Sequence, residues 1–208
     1  MFSGASAGSM GAAMSSQRTT LPTPEEYLEI ERRAERKSEY FQGGMFAMSG
    51  ASRPHVLIVA NLVRELGNWL DTWPCEVYSN DMRLRVAPNG LYTYPDVMVA
   101  YGEPQFADDQ SDTLLNPVLI VEVLSESTAA YDRGRKFEQY RTLPSLREYV
   151  LVAQDAPRIE QFTPQPDGHW LHAETSGRDA SIYLASIDCV LPLTRIYNKV
   201  NWPPAEKA

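Results

Sequence analysis

The chain has 208 residues, 43% of them hydrophobic and 22% charged, with 19 Lys and Arg against 27 Asp and Glu for a formal net charge of −8. That length and apolar content suffice for one hydrophobic core and exclude a disordered, collagenous or coiled-coil chain. The acidic balance argues against a protein that coats nucleic acid by bulk charge, and Cys75 and Cys189, far apart and outside any C-x-x-C spacing, offer neither a disulfide framework nor a zinc knuckle.

Residues 1–21 carry no Lys or Arg before Arg18 and no apolar run of signal-peptide length, so they read as a flexible tail ahead of a domain over 22–200 and a short tail over 201–208. Ahead of the first apolar periodicity, Thr23, Pro24, Glu25 and Glu26 set an N-cap, a first-turn proline and two acids on the positive end of a helix dipole, predicting a helix that runs to about Arg36. A hairpin is expected over 38–48, with Gly43 and Gly44 supplying the positive φ of a tight turn. Val56, Val59, Ala60, Val63, Leu66 and Leu70 recur at helical spacing and predict an amphipathic helix over 55–71.

The segment 77–86 alternates, with Met82, Leu84 and Val86 on one face and Asp81, Arg83 and Arg85 on the other, and reads as one half-exposed strand closed by a turn at 88–90. A short strand over 97–101, a polar loop over 102–116 and a β-branched run over 118–124 follow; the last suits a strand buried on both faces. That run is seven residues long, far short of the ~20 needed to cross a bilayer, so no membrane span is expected, and the two isolated cysteines make a reduced cytoplasmic setting the expectation. A helix over 133–143, a buried strand over 149–153 and three short strands near 158–162, 169–173 and 182–184 complete the order. The plan is α/β (α+β): a central mixed sheet flanked by helices, with antiparallel edge strands. P-loop, G-x-G-x-x-G and G-x-S-x-G motifs are absent from the sequence.

Glu122 is the most informative residue, because it stands inside the apolar run 118–124, where an unpaired carboxylate costs several kcal/mol. Asp96, which opens another apolar strand 26 positions upstream, is its natural partner, and two carboxylates at adjacent strand ends suit a hard divalent ion. The bland alternative has Glu122 paired to an arginine and Asp96 capping a turn. Between 133 and 147, Arg133, Arg135, Lys136, Arg141 and Arg147 face only Glu138, a local excess of four positive charges (5 minus 1) that is either a phosphate-binding face or a solvated helix. His55 reads either as a helix-start histidine or as a group that orients a site carboxylate, and His169 with His172, three apart in a strand, would point to opposite faces.

Several short pieces in fixed order then carry a resemblance: Ser38 and Glu39 with the hairpin after them, His55, Tyr94-Pro95-Asp96-Val97, Val121-Glu122-Val123-Leu124-Ser125, Asp132 with Lys136 and Tyr140, and the run 146–152. Over 22–200 the chain resembles the Uma family of restriction endonucleases, a bacterial branch of the PD-(D/E)XK nuclease superfamily. The resemblance implies a PD-(D/E)XK nuclease-like core, Mg²⁺ or Mn²⁺ as cofactor and DNA as substrate. It carries metal-binding roles onto Asp96 and Glu122. Leu124 stands where the Glu-x-Lys pattern has its lysine, and Lys136 on the following helix resembles a migrated replacement. Glu39 resembles an upstream acid of the site, and Arg133, Arg135 and Arg141 are expected on the DNA backbone. A homodimer is expected from the need to cut two strands, with the apolar edge over 182–196 as its surface. The alternative is a nuclease fold without turnover that serves as a DNA-binding or protein-interaction module.

Overall fold

The computed structural model describes residues 21–87 and 90–202. Of the expected N-terminal tail only Leu21 is among the described residues, and Pro88, Asn89 and 203–208 also lie outside them.

Helix α1 (Pro24–Glu31) begins as the sequence predicts: Thr23 accepts from the Glu26 N–H while the Glu26 carboxylate accepts from the Thr23 N–H, a capping box with a proline in the first turn. It stops at Glu31 instead of Arg36. Residues 32–37 have no apolar face to bury, and tertiary partners claim the side chains at the stop. Glu31 turns inward to the Ser38 N–H and the Tyr94 hydroxyl, and Arg32 forks onto Asp108 and Asp112. Strands β1 (Ser38–Phe41) and β2 (Gly44–Ala47) form the expected hairpin, but Gln42 (φ 47°) and Gly43 (φ 86°) make its turn and Gly44 already belongs to β2. A side chain on Gly43 would also meet Leu21 at 2.7 Å.

Helix α2 (Arg53–Trp69) is capped by Ser52. The single strand expected over 77–86 is two strands, β3 (Cys75–Ser79) and β4 (Arg83–Val86), which a turn at Ser79–Met82 sends into different sheets. Arg83 is buried, contrary to the alternation: it donates to the Tyr94 hydroxyl at 2.9 Å and to Thr113 Oγ1 at 2.8 Å, so its charge is fully used inside. Strand β5 (Leu91–Thr93) lies beyond the sequence reading; β6 (Val97–Tyr101) matches it; and the loop expected over 102–116 holds the short β7 (Thr113–Leu114).

Strand β8 (Pro117–Leu124) is followed by one continuous right-handed helical segment in three parts: α3 (Ala129–Tyr131), a π-turn (Asp132–Lys136) and α4 (Phe137–Tyr140). It starts four residues earlier and ends three earlier than the expected 133–143. Strands β9 (Glu148–Ala153), β10 (Arg158–Pro164), β11 (Trp170–Ser176), β12 (Ser181–Leu184) and β13 (Cys189–Pro192) and the short helix α5 (Leu193–Ile196) complete the fold.

The central sheet has six strands in the order β11-β10-β9-β8-β6-β3, mixed because β8 and β9 run parallel, with the antiparallel edge β10–β11 the sequence predicts. A second, five-stranded sheet (β2-β1-β5-β4-β7) and the β12–β13 pair are findings of the structure. Period-two alternation divides β8 between two cores. Leu119, Val121 and Val123 pack with α2, α5 and the β12–β13 pair, whereas Ile120 and Leu124 pack with the five-stranded sheet and the α3–α4 segment. Each such fully buried aliphatic side chain contributes about 1.5–3 kcal/mol. The dimer surface expected over 182–196 is mostly this first core: Ile182, Leu184, Leu191, Leu193 and Ile196 are buried, because the pair covers the central sheet, and Tyr183 and Val190 face out. Among the described residues, no helix is long and apolar enough to cross a membrane.

Candidate active site

The antiparallel register of β6 on β8 pairs Val97 with Val121, and Asp96, the residue just before β6, lines the same cleft as Glu122. Asp96 sits where β6 emerges from the sheet, and both its oxygens are engaged. Oδ2 accepts from the Val123 N–H at 2.8 Å and Oδ1 lies 2.9 Å from His55 Nε2, so the first turn of α2 and the C-terminal end of β8 fix one carboxylate between them. Of the two readings of His55, the carboxylate partner is the one the structure shows.

Glu122 is 4% exposed, and its Oε1 takes hydrogen bonds from Lys136 Nζ at 3.0 Å and from the Tyr140 hydroxyl at 2.8 Å. No arginine is its partner. The helical segment delivers this pair from across the second core. Asp132, Lys136 and Tyr140 are four residues apart, and such steps drift around a regular α-helix by about 40° each. The π-turn takes up that drift, and all three side chains point inward. The hairpin supplies the third wall: Glu39 on β1 lies 3.4 Å from Lys136 Nζ and accepts from Thr93 Oγ1 and from Tyr131, whose hydroxyl is 3.4 Å from Oε2. Asp132 Oδ1, also 3.4 Å from Lys136 Nζ, is buried and accepts no hydrogen bond from any described residue.

One ammonium therefore faces three carboxylates, with Asp96 a fourth nearby. Burial pushes the Glu122 carboxyl up; Lys136 pulls it down, but Asp132 and Asp96 add to the rise, and the group is pushed up to about 8. Burial works against the Lys136 charge, yet Glu122, Glu39 and Asp132 outweigh it and hold the ammonium well above its ordinary range. Both partners of the pair are thus raised, the glutamate chiefly by its burial with Asp132 and Asp96 adding to it, and the lysine because Glu122, Glu39 and Asp132 surround it. Asp132 is raised by the same burial.

These residues line a cleft of about 570 Å³, within the ~300–1,000 Å³ usual for ligand sites. Asp96, Glu122, Lys136 and Glu39 all meet in it. The expected basic face does not. Arg133 is tied to Glu160 at 2.7 Å and Arg135 and Arg141 are exposed; none of the three lines the cleft, because the π-turn that turns Lys136 inward carries its arginine neighbours away. His169 and His172 share no site either: one pairs with Asp167 and the other stacks on Phe162. The partners that sequence reasoning left without a role are Asp132, Tyr140 and Tyr131. The four-residue spacing 132, 136, 140 is the signal that points to the first two.

The donors present are carboxylate oxygens in excess over cations, which suits a hard divalent ion. Among the described residues no group of three or more His, Cys, Asp or Glu is arranged to hold a metal. A cation held by two carboxylates, with water and substrate phosphate completing its shell, is the usual way Mg²⁺ is bound, and Asp96 with Glu122 fits that set.

Comparison with known proteins places the chain in a family and shows a shared fold. Two uncharacterized proteins of Synechocystis sp. are 42% identical over 164 residues (79% of this chain, 93% of the relative) and 40% identical over 149 residues (72% and 77%). A crystal structure of a "putative nuclease belonging to DUF820" from Anabaena variabilis superposes with a TM-score of 0.70 at 16% identity, covering 85% of this chain and 97% of that one, and shows the fold to be shared. Residues 24–192, which contain Glu39, Asp96, Glu122 and Lys136, match the family described as "Putative restriction endonuclease", and the chain belongs to that family, Uma2.

Proposed function

We propose that the protein is a metal-dependent endonuclease that hydrolyses DNA phosphodiester bonds, with Asp96 and Glu122 holding Mg²⁺ or Mn²⁺. The observation that carries this reading is the pair of carboxylates, Asp96 and Glu122, that line one cleft in which acids outnumber the single buried ammonium. A cation bound there would acidify an attacking water and neutralise charge growing on the phosphate. Lys136 remains protonated, so its role is to donate: it orients water or a phosphate oxygen and does not take the proton. Tyr140 and Asp132 fix that ammonium and the Glu122 carboxylate against each other. Glu39 closes the acid wall from the hairpin side.

Two expectations follow from these roles. DNA incubated with the protein should be cut when Mg²⁺ or Mn²⁺ is present and not with a chelator, and Asp96→Asn should abolish the product; cutting that survives this change ends the assignment. An absence of product under both cations would leave a nuclease fold that binds without turnover. His55 holds Asp96 from outside, so His55→Ala should weaken Mg²⁺ binding about 10–100-fold, the usual cost of removing a group that orients a metal ligand, while His55→Gln restores part of it. Equal affinity in all three proteins, read by calorimetry, would show that the Val123 N–H alone fixes the carboxylate.

A further inference from the structure

The cleft carries an exposed aromatic residue that the chemistry above does not use. Phe46 is 58% exposed on β2, the outermost strand of the five-stranded sheet, and Met48, 36% exposed, follows it. Phe46 is the direct cross-strand partner of Glu39, so both side chains stand on the same face of the hairpin, and both line the cleft. Its ring leans over Gly44, where any side chain would meet it at 3.0 Å. Tyr131, whose hydroxyl reaches Glu39, lines the same wall.

The charges around this aromatic wall decide what it can hold. A duplex is gripped through rows of Lys and Arg, because its phosphates place one charge about every 1.7 Å of helix axis. Among the described cleft-lining residues there is no arginine, and the lysine is 6% exposed and committed to carboxylates. Glu39, Asp96, Glu122, Glu126 and Asp132 make the walls acidic, and the whole chain is at −8. Affinity must then come from the cation on the scissile phosphate and from contacts that carry no charge. Base–aromatic stacking is such a contact, and it requires a base free of its partner strand.

We propose that the Phe46 ring is a stacking platform for an unpaired base next to the scissile phosphate, so that the substrate class is single-stranded or locally unpaired DNA. The proposal rests on the nuclease reading for its ligand, and binding is therefore measured apart from cutting. In stopped flow with Mg²⁺, a single-stranded oligonucleotide carrying 2-aminopurine should be quenched on binding the wild-type protein. Phe46→Ala should remove the quench and weaken binding about 10–100-fold, the range expected for one stacked base. Phe46→Tyr should keep both, and Mg²⁺ affinity should be unchanged in either variant. Phe46→Ala that binds and quenches like the wild type overturns the platform, as does a blunt duplex bound as tightly as the single strand. Intact quenching without product from any DNA would support the platform and overturn the hydrolytic reading, which keeps the two failures distinct.

Discussion

Replacing Glu122 by Gln is expected to remove metal-dependent cutting by about a thousandfold or more, because a cation at a phosphoryl centre supplies several kcal/mol of transition-state stabilisation and a neutral amide cannot hold it. The fold should survive. Glu122 lies in a pocket where burial and neighbouring acids push its carboxyl up, so a neutral amide of the same shape is tolerated there. The sign of the pH effect follows. A carboxyl whose pKa stands at about 8 in the folded chain and 4.5 ordinarily contributes stability that is complete below 4.5 and is lost as pH rises through 8. Without metal, the wild-type protein should therefore lose stability across that window more steeply than Glu122→Gln. Added Mg²⁺, which binds the ionised form, should bind more tightly as pH rises and should release a proton on binding near neutrality. Thermal denaturation of both proteins between pH 5 and 9, with and without Mg²⁺, reads all of this. Parallel pH profiles for the two would show that Glu122 is not the group that titrates.

Lys136→Met should be the most destabilising single change at the site. Lys136 is the shared counter-ion of Glu122, Glu39 and Asp132, and removing one member of a buried charge cluster while the others stay costs about 3–5 kcal/mol. The loss should be larger at pH 8 than at pH 6, since at the lower pH the abandoned carboxylates can take up protons. Met fills the space of the lysine stem, so a cavity adds little. Urea denaturation at the two pH values measures the difference, and a variant as stable as wild type at pH 8 would mean that the acids do not need the ammonium. Cutting should fall with it, and restoring stability with Mg²⁺ should not restore the rate.

Much of the candidate site's make-up was legible from residues because burial makes polar positions conspicuous. A glutamate in the middle of a β-branched run has to be compensated, and a Pro-Asp at the start of another short strand places the second acid in reach. The resemblance supplied Lys136 and Glu39, and the structure brings both to the same cleft. The misread parts have physical causes of the same kind. Arg83 and Arg85 alternate with apolar residues as a solvated face would, yet buried tyrosines and Asp112 give Arg83 partners that only the tertiary fold assembles. The alternation from Asp81 to Val86 is clean, but Asn80 stands on its apolar face and Val77 on its polar face, and that slip marks the corner at 79–82 between β3 and β4. The five-stranded sheet is built from pieces of two to four residues, too short for any periodicity to register. Charge counting over 133–147 cannot see the π-turn that sends Lys136 inward and leaves Arg133 to Glu160, so the expected basic face lies outside the cleft.

The candidate metal centre is tested most directly by calorimetric titration of Mg²⁺ and Mn²⁺ into the wild-type protein and into Asp96→Ala and Glu122→Ala, each at pH 8, where Glu122 is more ionised than at neutral pH. Saturable binding to the wild type that is lost in both variants is the expected result. Binding that persists in either variant would contradict the pairing of Asp96 with Glu122 as the site of the cation.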